Sequence, residues 1–222
     1  MKFGIVGVKS RLAHITKLRQ HLAIGMQPDD EIRVFWDDKR QGHWWNYSRT
    51  VESLTKAAKP GEPVMICTDD AVTVPDWRDR WEALHSTAQA QRYCLFHGSK
   101  DLLTDANLQK GYAEGILYRA WCDQAMVLID QPTLMEDCKR WLWMENGLHS
   151  KWLHHRRIIQ KDGRPDYLDI ATEGYLIAKK LPWVAACPTI FDHAPLPSEV
   201  GHKVGEYKSP SYVGTPGTFL PS

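Results

Sequence analysis

The chain has 222 residues, with 28 Lys and Arg against 27 Asp and Glu, and a formal net charge of +1. This length suits one α/β domain with a substantial core, and the near-neutral balance excludes a strongly basic nucleic-acid coat and an acidic disordered tail. No apolar run approaches the roughly 18 to 20 residues that a membrane span needs.

The first hundred residues alternate between apolar runs and helical patterns. Strands are predicted at residues 3–8, 31–36, 63–67 and 92–97. Helices are predicted over residues 10–23, with Ser10 as a candidate cap, from Asn46 to about Lys59 after a polar loop at 39–46, and from Pro75 to about Gln91. This order predicts an α/β fold with a mainly parallel central sheet and helices on both faces.

The second half is less regular. Short strands are predicted at 115–121, at 125–129 and within 182–190, with helices over 132–144 and 166–180. From Ala194 onward the chain holds five Pro and four Gly in 29 residues. We therefore predict a single domain over residues 1–193, followed by a loop-rich tail over 194–222.

The five Cys residues are scattered, odd in number and never spaced as a CxxC pair. A disulfide framework or a cysteine zinc site would have a different spacing. The amino terminus enters an apolar strand directly, which argues against a secretory signal. These features predict reduced thiols in a cytoplasmic protein.

Polar residues follow three of the predicted strands: GVKSR at 7–11, Asp37-Asp38, and Asp69-Asp70. Ligands of open parallel sheets bind outside the carboxyl ends of the strands. Carboxylates that converge there repel each other unless a cation lies between them, and a divalent metal carrying a nucleotide diphosphate is the usual solution. Oxygen ligands suit Mg²⁺ or Mn²⁺, and a nearby imidazole favours Mn²⁺. The alternative is that Asp69 and Asp70 only cap the following helix.

Five motifs follow one another along the chain. They are GVKSR at 7–11, FWDD at 35–38, GHWWNYSR at 42–49, VMICTDD at 64–70, and CPTIFDH at 187–193 followed by Ser198. In this order they resemble the motifs of small GT-A glycosyltransferases, the nucleotide-sugar enzymes with a Rossmann-like first half, in the compact form met in phage and bacterial genomes. The resemblance spans roughly residues 3 to 200, and for a phage-encoded chain the expected compartment is the host cytoplasm. It implies a GT-A fold with a nucleotide-binding half at 1–100 and an acceptor-binding half at 101–193.

The resemblance also implies roles for individual residues. The predicted nucleotide-sugar-binding residues, for a UDP-linked donor, are Gly7, Val8, Arg11, Asp37, Trp45, Arg49 and Asp69. Asp70 is the favoured metal ligand, Asp69 points to the ribose, and His193 completes the coordination. The acidic motif is DDA rather than a strict DxD, and Asp192 precedes His193 as a possible competing ligand. The choice between Asp69 and Asp70 therefore stays open, as does a packing role for His193.

An inverting transfer needs a carboxylate that takes the proton of the acceptor hydroxyl. Asp166 and Asp169 are one helical turn apart and can face the same cleft. We favour Asp169, since in enzymes that resemble this chain an acidic residue precedes the late histidine by about this distance. The alternative for both is that they complement a helix dipole.

The segment at 151–157 mixes cations and aromatic rings, and its Trp152, Arg156 and Arg157 are candidate acceptor-binding residues. Such a mixture can follow a phosphate backbone and stack a base, which leaves open a nucleic-acid acceptor such as a hydroxymethylated base in phage DNA. The alternative is the solvated face of a helix.

The ten Trp residues divide by position. Trp44 and Trp45, in the predicted polar loop, can stack on a nucleobase or sugar ring. Four lie on predicted helices, where packing is expected: Trp77, Trp81, Trp141 and Trp143.

The sequence thus predicts a metal-dependent glycosyltransferase. A nucleotidyltransferase on a similar sheet is the alternative enzyme, because it needs the same strand-end acids and metal. A non-catalytic protein that binds nucleic acid or a protein partner is the third possibility, since a fold does not determine a function.

Overall fold

The computed structural model describes residues 1–38, 42–97, 100–115, 125–129, 137, 175–194 and 196. The strands are β1 (Lys2–Gly7), β2 (Glu31–Trp36), β3 (Val64–Thr68), β4 (Ala71–Thr73), β5 (Arg92–Cys94), β6 (Tyr112–Gly115), β7 (Ala125–Leu128), β8 (Trp183–Ala186) and β9 (Phe191–His193). The helices are α1 (Leu12–Ile24), α2 (His43–Ala57), α3 (Trp77–Ala88) and α4 (Asp105–Lys110). Single 3-10 turns lie at Lys9–Arg11 and Lys100–Leu102, and residues 175–178 are helical.

Seven strands form one sheet in the order β2-β1-β3-β7-β5-β8-β6. Strands β1, β2 and β3 are parallel, as are β5 and β8, whereas β7 and β6 run opposite to their neighbours. The α/β class and the mainly parallel direction of the sheet are therefore confirmed. The two reversed strands were not expected from the sequence, because strand periodicity carries no information about direction.

Helices cover both faces of this sheet, and the alternation of side chains along β1 shows the two cores. Phe3 and Ile5 pack with the apolar faces of α1 and α3, while Val6 packs with α2 on the opposite face. Gly4 lets α2 approach the sheet, since a Cβ there would lie 2.5 Å from Thr50 Cγ2. The result is a three-layer arrangement with helices packed on both faces of the sheet.

A second, small sheet joins distant parts of the chain. Strands β4 and β9 pair antiparallel, with Ala71 opposite His193 and Thr73 opposite Phe191. The backbone N–H of Ala194 extends the pairing, because it donates to the carbonyl oxygen of Asp70 at 2.7 Å. The sequence did not predict this sheet, and it places His193 beside the acidic pair.

Several element boundaries differ from the sequence prediction. Helix α2 begins at His43, so Trp45 lies in its first turn, and the loop predicted as far as Asn46 is wrong at that end. Ser10 lies inside the first 3-10 turn, and the residue that precedes α1 is Arg11, so the predicted cap position at Ser10 is also wrong. The strand predicted at 92–97 ends at Cys94.

Local signals explain the short helix that precedes β6. The Thr104 hydroxyl accepts a hydrogen bond from the N–H of Asn107 at 3.1 Å, and Gly111 ends the helix with φ of +87°. A capping hydroxyl and a glycine with positive φ are the usual limits of a helix. Strand β6 follows at once and ends at Gly115, where the sequence had predicted a strand to begin.

The predicted packing tryptophans are confirmed where the structure describes them, since Trp77 and Trp81 are 0% and 2% exposed. Outside the described residues lie Trp141, Trp143, nearly all of the tail at 194–222 and, apart from the helical residue 137, the helix predicted over 132–144. Within the described ranges, no helix combines the length and the apolar character required to cross a bilayer.

Candidate functional site

The carboxyl ends of three neighbouring parallel strands lie side by side at one edge of the sheet. Strand β1 pairs with β2 on one side and β3 on the other, and the N–H of Asp37 donates to the carbonyl oxygen of Gly7 at 3.0 Å. The segments that follow the three strands are therefore adjacent. This is the edge where open α/β sheets bind their ligands.

Asp69 is the buried member of the acidic pair and is 6% exposed. Its Oδ2 accepts the backbone N–H of Val8 at 2.8 Å, and its Oδ1 accepts Nη1 of Arg11 at 2.5 Å. Burial raises the pKa of the Asp69 carboxyl, and the positive charge of Arg11 opposes this effect. Both oxygens thus hold the turn after β1 in place. From the sequence, Asp69 was predicted to face the ribose of the nucleotide.

The absence of a side chain at Gly7 makes this arrangement possible. A Cβ at Gly7 would lie 2.7 Å from Cβ of Asp69 and 2.7 Å from Cδ1 of Ile15. These separations are far below van der Waals contact, so only glycine lets the end of β1 approach β3 so closely.

Asp70 is the more accessible carboxylate, with its side chain 22% exposed. Its Oδ1 accepts the hydroxyl of Thr68 at 2.7 Å. Its Oδ2 lies 3.2 Å from Nη1 of Arg11 and 3.6 Å from Nδ1 of His193. Asp70 therefore contacts His193, while Asp69 contacts the turn that follows Gly7.

His193 is held at the edge by the small sheet and by an aromatic contact. Its ring lies edge-on to Phe96, with 4.8 Å between centroids and an interplanar angle of 87°, and its side chain is 26% exposed. The neighbouring Asp192 is 1% exposed, and its Oδ1 accepts the N–H of His193 at 2.8 Å. Asp192, considered from the sequence as a competing metal ligand, is thus buried beneath the histidine backbone.

The Asp70–His193 pair has a separation close to that needed for joint coordination of one cation. Adjacent ligand atoms of an octahedral Mg²⁺, each about 2.1 Å from the ion, are about 3 Å apart, so the 3.6 Å between Oδ2 of Asp70 and Nδ1 of His193 would have to shorten slightly. Among the residues that the structure describes, no group of three or more His, Cys, Asp or Glu side chains is arranged to hold a metal. A cation here would therefore take further ligands from phosphates and water, as Mg²⁺ commonly does.

Helix α2 places an aromatic ring and a guanidinium, those of Trp45 and Arg49, beside the end of β2. The guanidinium carbon of Arg49 lies 4.4 Å from the ring centroid of Trp45, and Nη2 of Arg49 donates to the carbonyl oxygen of Trp36 at 3.0 Å. Trp45 is 36% exposed. Asp37 accepts the N–H of Gly42 through Oδ2 at 2.9 Å, which fixes the entry to α2. The Trp44 side chain lies outside the described residues.

Sequence reasoning missed His14. This buried residue of α1 places Nε2 at 3.1 Å from the carbonyl oxygen of Ala71, next to Asp70. Burial lowers the pKa of His14, against the opposing effect of the negative charge of Asp70. The available signal was its spacing, since His14 precedes the inward-facing Leu18 and Leu22 by one and two helical turns.

The structure therefore describes every residue predicted to bind the donor or the metal, and it places them at the strand-end edge. The residues at the edge are Gly7, Val8, Arg11, Asp37, Trp45, Arg49, Asp69, Asp70 and His193. The predicted catalytic and acceptor-binding residues lie outside the described part of the chain: Asp166, Asp169, Trp152, Arg156 and Arg157.

No protein-family model and no curated protein matches the chain. Among solved structures, the chain is similar to that of S. aureus TarS 1-349, with 13% sequence identity and a TM-score of 0.43. The match covers 85% of this chain and 61% of that chain. At this identity and TM-score, the likeness supports no inference about activity.

Proposed function

We propose that the protein is a glycosyltransferase that moves a sugar from a nucleotide-diphosphate donor, UDP-linked, to an acceptor hydroxyl. The observation that supports this proposal is the meeting of Asp70, Arg11 and His193 at the carboxyl edge of the parallel strands. A carboxylate, an imidazole and a guanidinium at a strand-end edge suit a diphosphate with its metal.

The donor nucleotide would lie across the ends of β1 and β2. Trp45 offers an exposed indole face for the base, and Arg49 orients that face from the next turn of α2. Stacking on an aromatic ring binds a nucleobase without reading its identity. Gly7, Val8, Arg11 and the carboxylate of Asp37 complete the proposed nucleotide site, in agreement with the motifs that resemble GT-A glycosyltransferases.

Asp70 and His193 are the proposed ligands of Mn²⁺ or Mg²⁺. When bound, the cation would neutralise negative charge on the departing diphosphate, its Lewis-acid role. Asp69 would act beside this pair as a positioning residue, because its two hydrogen bonds hold Val8 and Arg11. His14 would do the same from α1, since it holds the carbonyl oxygen that follows Asp70.

The acceptor side of the proposal depends on the sequence alone. Asp169, with Asp166 as the alternative, would take the proton of the acceptor hydroxyl if the transfer inverts the sugar. Trp152, Arg156 and Arg157 would contact the acceptor, and a hydroxymethylated DNA base is one candidate. Unchanged DNA retention at low salt after joint Arg156→Glu and Arg157→Glu substitution would remove the DNA candidate.

A thermal shift assay tests the donor proposal. We expect UDP with Mn²⁺ to raise the melting temperature of the protein and Asp70→Asn to abolish this shift. Asp38→Asn is the matched control, because Asp38 lies at the same edge but pairs with Lys9 at 3.1 Å. If no nucleoside diphosphate shifts the transition with either metal, the proposal fails.

Product analysis separates the two candidate enzymes. Slow release of UDP from a UDP-sugar, abolished by Asp70→Asn, supports glycosyl transfer. Release of pyrophosphate from a nucleoside triphosphate would instead indicate a nucleotidyltransferase. Retention of DNA without turnover of any nucleotide would support the non-catalytic alternative.

A further inference from the structure

We infer that the guanidinium of Arg11 contacts the carboxylate of Asp70 in the ligand-free protein, and that this contact must break when a divalent cation binds. Arg11 therefore couples the binding of the metal to the binding of the nucleotide donor. The inference rests on the proposed function for the identity of the metal ligands. It goes beyond that function because it assigns a further role to Arg11, which determines whether Asp70 can bind a cation.

The geometry shows one guanidinium nitrogen between two carboxylates. Nη1 of Arg11 lies 2.5 Å from Oδ1 of Asp69 and 3.2 Å from Oδ2 of Asp70. That Asp70 oxygen is also the atom nearest the imidazole, at 3.6 Å from Nδ1 of His193. The oxygen that would bind a cation together with His193 is therefore already in contact with Arg11.

The two contacts of Arg11 differ in strength. The Asp69 carboxylate is 8% exposed and the Asp70 carboxylate 22% exposed, so the Asp69 contact is both shorter and better shielded from water. Breaking it would leave a buried carboxylate without its cation, which is strongly unfavourable. We therefore expect Arg11 to keep Asp69 and to give up Asp70.

A divalent cation at Asp70 would lie close to the positive charge of Arg11, and like charges at short distance repel. A diphosphate removes this penalty, because its negative charge lies between the two cations and its oxygens offer charge-assisted acceptors to the guanidinium. Metal and nucleotide then bind with positive cooperativity. The coupling is reciprocal by thermodynamic necessity.

Lys9 provides the matched control on the same 3-10 turn. Its side chain is 72% exposed, and its Nζ pairs with Asp38 at 3.1 Å. Substituting Lys9 or Arg11 by Gln removes the same unit of charge from the turn. Only the Arg11 substitution removes a contact with Asp70.

The test is direct Mn²⁺ titration by calorimetry, with and without UDP, on the wild type, Arg11→Gln and Lys9→Gln. Without UDP, we expect Arg11→Gln to bind Mn²⁺ about tenfold more tightly than the wild type, and Lys9→Gln to stay within about threefold. With UDP, we expect wild-type Mn²⁺ affinity to rise by about tenfold or more. The rise in Arg11→Gln should be smaller, because Arg11 no longer competes with the cation for Asp70.

Equal or weaker Mn²⁺ binding by Arg11→Gln overturns the inference, as does an equal gain in Lys9→Gln, which would show a general charge effect. If Mn²⁺ binds no variant under any condition, the metal assignment fails and the inference fails with it. Circular dichroism and thermal melting establish folding. If Arg11→Gln does not fold, Arg11→Lys replaces it. The lysine ammonium lies one bond closer to the backbone than Nη1, so we expect it to keep the shorter contact with Asp69 and to lose the contact with Asp70. Tighter Mn²⁺ binding is then expected, and unchanged binding overturns the inference.

Discussion

Gly7 and Asp69 approach each other so closely that a Cβ atom at Gly7 would lie 2.7 Å from Cβ of Asp69. We expect Gly7→Ala to lower the free energy of unfolding by about 1 to 3 kcal/mol, because overpacking of a closed contact forces the backbone apart. The displacement would also lengthen the hydrogen bond from the N–H of Val8 to Asp69. Urea denaturation measures the first effect.

Gly4→Ala is the matched control for that substitution. Its Cβ would lie 2.5 Å from Thr50 Cγ2 and 2.6 Å from Leu54 Cδ1, so a comparable loss of stability is expected on the face covered by α2. The UDP and Mn²⁺ thermal shift should survive in Gly4→Ala and be lost in Gly7→Ala. A Gly7→Ala protein with wild-type stability would contradict the close approach.

Substitutions of the two neighbouring acids should have different effects, one mainly on stability and the other mainly on metal binding. Asp69→Asn replaces an acceptor oxygen by an amide group that cannot accept, leaving either the Val8 N–H or Arg11 unsatisfied in a buried place. We expect it to cost about 1 to 3 kcal/mol of unfolding free energy. Asp70→Asn, at a more exposed carboxylate, should cost less and should abolish Mn²⁺ binding.

Denaturant unfolding at neutral pH and Mn²⁺ titration give these two quantities for each variant. A larger loss of stability in Asp70→Asn than in Asp69→Asn would show that the buried contacts of Asp69 contribute less than the geometry indicates.

His85 should make the stability of the protein depend on pH. Its Nδ1 lies 2.8 Å from the hydroxyl oxygen of Tyr93, its ring stacks on Trp81, and burial lowers the pKa of His85. Below its ordinary pKa of about 6.5, the unfolded chain binds a proton that the folded protein resists. Stability should therefore fall as the pH drops from about 6.5 through the folded-state pKa.

Melting temperatures measured between about pH 8 and pH 5.5 check this prediction, since the window spans the ordinary histidine pKa. His85→Gln should show a shallower decline than the wild type, but not a flat one, because burial also lowers the pKa of His14 and His21. Parallel curves for wild type and variant would contradict the assignment to His85.

Trp45 should contribute to nucleotide affinity with little effect on stability. Stacking on a base contributes about 1 to 3 kcal/mol, so Trp45→Ala should weaken UDP binding by about tenfold. Arg49 keeps its bonds to the Trp36 carbonyl and to Asn46, and only its contact with the indole is lost. Calorimetry measures UDP affinity, and the control variant Trp45→Phe should bind UDP with an affinity between those of the wild type and Trp45→Ala. Equal UDP affinity in the wild type and both variants would show that Trp45 does not contact the nucleotide.

Much of the fold could be predicted because strong local patterns determine it. The second strand is observed at its predicted bounds, Glu31–Trp36, and the three parallel strands that build the edge follow from the β-α-β order. The reversed strand β7 and the pairing of β4 with β9 could not be predicted. Each is a matter of long-range pairing between short segments, and local propensity does not encode it.

The sequence allowed us to predict which residues form the site, but not which of them contact each other. The strand-end rule brought Asp69 and Asp70 to one edge, and the late motif drew attention to His193. The sequence could not show that Arg11 bridges both acids, because the bridge depends on the close approach that Gly7 permits. His14 was not identified from the sequence, because its bond to the carbonyl oxygen of Ala71 joins α1 to a distant segment of the chain.

The small sheet also bears on how the protein reaches its working form. Ala71 and His193 pair across most of the length of the chain, and contacts of such high sequence separation slow folding because a large loop must close first. The contact between Arg11 and Asp69 needs only the segment from β1 to β3, whereas the imidazole beside Asp70 needs the pairing of β4 with β9. We therefore expect the cation site to be completed later in folding than the contact between Arg11 and Asp69.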